Sequence, residues 1–147
     1  MAQELLGPRI AALYELQSAH LDPRLKELGV SWASFQLLTA VYAATGESQN
    51  QIALRLGIKP ATMSEAVFNH AKKGLMEQVV STSDRRVKSL KLTPKGRKLV
   101  ESIREGLGDS ERVMTSGLSA SEHRSAIEVI DKMLKSLEEN LRKTAAL

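Results

Sequence analysis

The chain has 147 residues, enough for one domain with a sizeable core, and 42% of them are apolar. It contains no cysteine, which excludes disulfides, thiolate metal sites and thiol redox sensing by this chain. Its formal charge of +4 is unevenly spread: Ser48 to Lys98 holds eleven Lys and Arg against three Asp and Glu, the remainder ten against fourteen.

Residues 3 to 21 read as a helix, with Leu6, Ile10, Leu13 and Gln17 on one stripe and Leu5, Leu16 and Leu21 on its borders. Pro23 removes a helical hydrogen bond and crowds the preceding turn, so a kink or break is expected near Leu21. Asp22 then caps a short piece, 23 to 28, that Gly29 ends. Ser31 caps a helix from Trp32 to Ala44, with Phe35, Leu38, Val41 and Tyr42 on its buried side. Ser48 caps another from Gln49 to Leu56, whose inward residues are Ile52, Ala53 and Leu56. Gly57 ends it, because glycine takes the left-handed conformation without a Cβ penalty. Pro60 suits the first position of the next helix, where its missing N–H costs nothing. That helix runs to about Lys73 and stops at Gly74.

Two helices joined by a few residues with Gly in the turn describe a helix-turn-helix. In the second of them Met63, Ala66, Val67 and His70 share an inward face. Ala61, Thr62, Glu65, Asn69 and Lys72 point away from it, and Phe68 lies between the two. Met76–Ser81 and Lys88–Leu92 read as short strands around a polar tip, Thr82 to Val87, that holds adjacent Arg85 and Arg86. A basic hairpin beside a helix-turn-helix is a winged helix. Thr93 caps a helix starting at Pro94 and reaching Met114 or Ser116; Gly106 and Gly108 weaken it by about 1 kcal/mol each. Ser119 or Ser121 caps the last helix, which runs to about Lys143. Its Ile127, Ile130, Leu134, Leu137 and Leu141 are spaced three, four, three, four, the narrow seam of helix-to-helix association. Ordinary intramolecular packing is the other reading of that seam.

The ordered set Gln51-Ile52-Ala53, Leu56-Gly57-Ile58, Gly74-Leu75, Asp84-Arg85-Arg86 and, six residues on, Leu92-Thr93-Pro94-Lys95-Gly96 resembles the MarR family of bacterial transcription regulators. The match covers the middle of the chain by motif and the flanking helices by length and position. The expected fold is mainly α with a small β-hairpin wing: one MarR-like domain over 1–147. Its winged helix-turn-helix spans 30–98, and 1–28 and 99–147 supply dimerisation helices.

The positive segment coincides with this winged helix, which turns a solvated charged surface into the footprint of a partner rich in phosphate. The resemblance implies a cytoplasmic, homodimeric, ligand-responsive repressor that binds double-stranded DNA at a pseudo-palindromic operator. The DNA-facing residues are then Lys59, Thr62, Ser64, Glu65, Asn69, Lys72, Lys73, Asp84, Arg85, Arg86 and Lys88. In such a protein the recognition helix reads base edges in the major groove. The resemblance assigns the minor groove to Arg86, with Arg85 beside it, and the steadying of the wing to Asp84. A plain surface ion pair at a turn is the bland reading of these three, worth roughly 0–1 kcal/mol. The recognition helix departs from the family pattern, with Glu65 and Asn69 where arginines are common and His70 at a leucine-type core position. Glu65 and Phe68 therefore keep a second reading open: a winged-helix module that has lost operator recognition and binds a protein.

The resemblance also implies a small aromatic or anionic effector, for which Tyr14, His20, Trp32 and Phe35 are the candidate contacts. Core packing is the alternative for Trp32 and Phe35, and a surface or interface role for His20. Nothing in the sequence points to an enzyme, a cofactor, a metal or a membrane. His20, His70 and His123 are isolated, and no phosphate loop or nucleophile elbow is present. No run reaches the roughly 18 apolar residues a membrane span needs, and no signal peptide is evident at the N-terminus.

Overall fold

Side-chain oxygens set where most of the helices begin. Ser31 Oγ accepts from the Ser34 N–H at 3.1 Å and starts α2, Trp32–Ala43. Ser48 starts α3, Gln49–Leu56, with a full capping box: its Oγ accepts from Gln51 N–H, and its own N–H donates to Gln51 Oε1 at 2.7 Å. Thr93 starts α5, Pro94–Thr115. Ser119, rather than Ser121, starts α6, Ala120–Ala145, through reciprocal bonds with Glu122. The Ser119 N–H and hydroxyl hold the Glu122 carboxyl below its ordinary value.

The computed structural model describes residues 4–145. The expected helical residue at position 3 lies outside that range. The first helix, α1, runs from Gly7 to Glu27. It begins later than its apolar stripe suggested, with a proline in its first turn, where the missing N–H is harmless. It also corrects the expected break: α1 continues through Pro23 to Glu27. Leu21 and Leu25, 3% and 2% exposed, lock the turns on both sides of the proline against Phe35 and Ile103. Burying two leucines contributes roughly 1.5–3 kcal/mol each, enough to offset about 3 kcal/mol for an interior proline. The two glycines of α5 do not interrupt it either. A Cβ on Gly106 would sit 2.8 Å from Arg24 Cγ, so the glycine lets α1 lie close to α5.

Helix α4, Pro60–Lys72, follows α3 after a turn in which Gly57 sits at φ 67°. Strands β1, Met76–Val80, and β2, Lys88–Leu92, pair antiparallel, from Met76 opposite Leu92 to Val80 opposite Lys88. A lone backbone bridge adds Ser48 to the edge of β2 at Ser89.

The core has two parts. The larger takes Leu37, Leu38 and Val41 from α2, Ile52 and Ala53 from α3, Met63 and Val67 from α4, Leu75, the hairpin's Met76, Leu90 and Leu92, and Val100 of α5. The smaller joins Leu21 and Leu25 of α1 to Phe35 and Ile103. Leu99 packs against both. Helix α6 has no buried residue among those described.

Candidate nucleic-acid interface

The three-sided arrangement of α3, α4 and the hairpin follows from the apolar faces of each. Met63, Val67 and His70 of α4 are buried, so the other side of the helix is turned outward. Thr62, Ser64, Glu65, Asn69 and Lys72 are all exposed there. Lys59 and Lys73, also exposed, stand at the two caps of α4. Glu65 takes part in none of the ion pairs among the described residues. Arg55, a possible partner for it, is instead bonded to Glu47 at 2.8 Å. Phe68, 66% exposed, is on the outward side too.

His70 fills its core position with its polar atoms satisfied. Nδ1 lies 2.6 Å from the Ala66 carbonyl and donates to it, and Nε2 shares a hydrogen bond with the Ser34 hydroxyl at 3.0 Å. An imidazole thus replaces an aliphatic side chain by tying α4 to the first turn of α2.

The hairpin tip is built on Asp84. Its Oδ1 accepts from the Arg86 backbone N–H at 3.0 Å and from Nε at 3.1 Å, and Oδ2 accepts from the same guanidinium at 3.3 Å. The Arg86 guanidinium, and then its backbone N–H, hold the Asp84 carboxyl below its ordinary range. Ser81 Oγ accepts from the Ser83 and Asp84 N–H groups, and the Val87 N–H closes the turn on the Asp84 carbonyl. The Arg86 side chain is 91% exposed despite the pairing. Arg85 is exposed beside it, and Lys88 begins β2.

A cleft of about 420 Å³ brings these parts together. Ser64 of α4 faces Arg86, Val87 and Lys88 of the hairpin across it, and the first turn of α3, from Ser48 to Gln51, forms its floor. Gln49 in that floor is 4% exposed, which the sequence reading missed. A glutamine in the first turn of a helix gives no sign of burial. Its partners come from distant positions, Gln78 of β1, 29 residues away, and Ser64 of α4, 15 residues away.

The candidate effector residues separate. Tyr14, Trp32 and Phe35 line one hollow of about 650 Å³ together with Thr39, Arg104 and Glu111. Tyr14 stands edge-on to Trp32 with centroids 5.5 Å apart and bonds its indole N–H, and Trp32 tilts against Phe35 at 5.1 Å. Phe35 is also part of the smaller core. The Thr39 hydroxyl is buried without a hydrogen-bond partner among the described residues. His20 is not in this hollow; it lines two others, beside Leu21 and beside Leu16. The candidate interface residues Ile127, Ile130, Leu134, Leu137 and Leu141 are 45–65% exposed, as are Ile10 and Leu13 of α1 at 47%.

Solved structures share this arrangement. MepR of S. aureus in complex with DNA is 26% identical, over 91% of this chain and 99% of its own, with a TM-score of 0.72. A MarR-family transcriptional regulator from Silicibacter pomeroyi is 22% identical over 91% and 96%, with a TM-score of 0.77. The fold is that of the MarR family. A mutant MarR from E. coli complexed with operator DNA has the same fold, with 22% identity, 88% and 93% coverage and a TM-score of 0.71. No family model matches the sequence. The motifs that resembled MarR have definite places in the MarR fold: the turn at Gly57, the hairpin tip at Asp84 to Arg86, and the start of α5 at Thr93 to Gly96. Among the described residues no helix is long and apolar enough to cross a membrane.

Proposed function

We propose that this chain is a sequence-specific DNA-binding transcription regulator, acting as a homodimer on a pseudo-palindromic operator in the cytoplasm. The observation that carries the reading is the cleft that joins the outward face of α4 to the Arg86 and Lys88 side of the wing. A helix with polar residues outward and a wing with exposed arginines are what major-groove and backbone or minor-groove contact require. MepR and MarR, which share the fold, have each been solved with DNA. Lys59, Lys72, Lys73 and Arg85 would neutralise phosphates, while Thr62, Ser64, Glu65 and Asn69 would meet bases or backbone. Repression with release by a small aromatic or anionic ligand is the form of regulation we propose. The aromatic hollow with its unpartnered Thr39 hydroxyl and its Arg104 supports it.

The test is duplex affinity measured against salt. The logarithmic slope should be several units, at about −0.9 per neutralised phosphate. Half-sites should recur about one helical turn apart, roughly 10 bp. Binding that ignores salt, or no binding to any duplex, would overturn the reading. It would favour instead a winged-helix module that binds a protein, a reading that the exposed Phe68 supports.

A further inference from the structure

We propose that Gln49 and Gln78 are positioning residues that fix the wing against the recognition helix and so aim Arg86 at DNA; this rests on the DNA-binding reading above. Gln49 is 4% exposed, and a buried amide needs partners for both its ends. Its Oε1 accepts from Gln78 Nε2 of β1 at 2.6 Å. Its Nε2 reaches Ser64 Oγ of α4 at 3.5 Å, the long and weaker end of the bridge. One buried side chain on α3 therefore touches both parts of the interface. The backbone bridge between Ser48 and Ser89 fastens the same turn of α3 to the other strand.

The place of this joint gives it leverage. Gln78 lies opposite Leu90, the last core residue of β2 on the way to the tip. Beyond it Val79, Val80 and Val87 are 44–46% exposed, and the hairpin has only two strands. Such a ribbon has little stiffness of its own. Arg86 is four residues from Leu90, about 13 Å along a strand. A tilt of about 10° at the joint would carry the guanidinium about 2 Å, enough to break a hydrogen bond to phosphate or base.

Gln78 shares a face of β1 with the buried Met76 and lies opposite Leu90, but it is itself exposed, so its substitution removes no buried apolar side chain. The experiment measures affinity of Gln78→Ala and Gln78→Met for a labelled mixed-sequence duplex, alone and combined with Arg86→Ala, across a salt series. Methionine keeps the length of the side chain and removes the donor. Each single variant should bind about tenfold more weakly and lose about one unit of salt slope, the share of one phosphate contact. In the Arg86→Ala background the further loss should be under about twofold, because the group being aimed is gone. Melting temperatures should fall by a few degrees, because the buried Gln49 Oε1 loses its donor, and by the same amount with and without Arg86→Ala. Equal losses in both backgrounds, or an unchanged salt slope in the single variants, would overturn the positioning role while leaving DNA binding intact. A parent that ignores duplex DNA at low salt overturns the DNA-binding reading and this role with it.

Discussion

A methyl group on Gly96 would lie 1.9 Å from the Leu75 carbonyl oxygen and 2.9 Å from its carbon. Both are backbone atoms, and they are pinned. The Leu75 carbonyl accepts from the Thr93 N–H, and Thr93 Oγ1 donates to the Gly74 carbonyl at 2.6 Å while accepting from Gly96 N–H. The Leu-Thr-x-x-Gly run is thus a clasp that holds the start of α5 on the turn before β1. Gly96→Ala is expected to destabilise the fold by about 2–3 kcal/mol, at the upper end for overpacking, because no flexible side chain can give way. Denaturant unfolding of the two proteins measures it. Glu65 is the other residue whose neighbourhood sets an expectation. It is exposed on the outward face of α4, and none of the ion pairs among the described residues includes it. A carboxylate there repels phosphate yet can accept from the cytosine amino group. Glu65→Gln should tighten binding to random duplex and relax preference at one base of each half-site, by about 1–3 kcal/mol. An unchanged preference profile across single-base operator variants would refute the cytosine contact.

At the scale of elements, α3 is spanned by an ion pair that runs from the residue before its cap to its last turn. Glu47, just before the Ser48 cap, accepts from the Thr45 N–H at 2.7 Å and from Arg55 at 2.8 Å. The Thr45 N–H, and then Arg55, hold the Glu47 carboxyl below its ordinary 4.5. A carboxyl depressed by folding stabilises the native state in full above its ordinary value and loses that contribution as pH falls through the folded one. The melting temperature should therefore drop as pH falls below 4.5, and Glu47→Gln should flatten that part of the profile by making the contribution independent of protonation. An identical acid limb in the variant would remove Glu47 from the account. The boundaries of this region were legible in the sequence because they are local: Ser48 and Thr93 begin helices through their own hydroxyls, and Gly57 and Pro60 end or begin one through their own backbone. Pro23 misled for the complementary reason. Its cost is local, but Leu21 and Leu25 are held by Phe35 and Ile103 from distant parts of the chain. Gln49 was hidden in the same way, since its partners come from β1 and α4.

At the scale of the whole molecule, the largest unmet demand is apolar. Leu5, Leu6, Ile10, Leu13 and Leu16 near the start, Val113, Met114 and Leu118 at the end of α5, and the α6 seam are all exposed in one chain. Scattered apolar residues on a surface need no explanation; a seam repeated over most of a helix does. A second copy closing over these helices would supply the burial that α6 lacks. Leu134→Asp with Leu137→Asp would place charge in that interface at a cost of several kcal/mol. Sedimentation should show monomer, or the chain should fail to fold; an undisturbed dimer would sink the assignment. The spacing of the seam residues was legible in the sequence, but what covers them was not, because that depends on a surface outside this chain's own packing. The hollow at Trp32 was only half readable, because which aromatic residues meet depends on how α1 crosses α2. That crossing brings Tyr14 to Trp32 and leaves His20 elsewhere.

Leu99 belongs to both apolar clusters, and that gives it a mechanical meaning. The winged lobe and the helical base each have their own closely packed interior, and α5 threads from one into the other at this side chain. Helix α2 makes the same passage, with Phe35 in the base and Leu37, Leu38 and Val41 in the winged lobe, so two helices pin the interiors together and turning one against the other would disturb both. In a dimer closed at the terminal helices, each winged lobe would then be carried stiffly on its own base. The span between the two winged lobes would then be fixed by the angle at which the two bases meet.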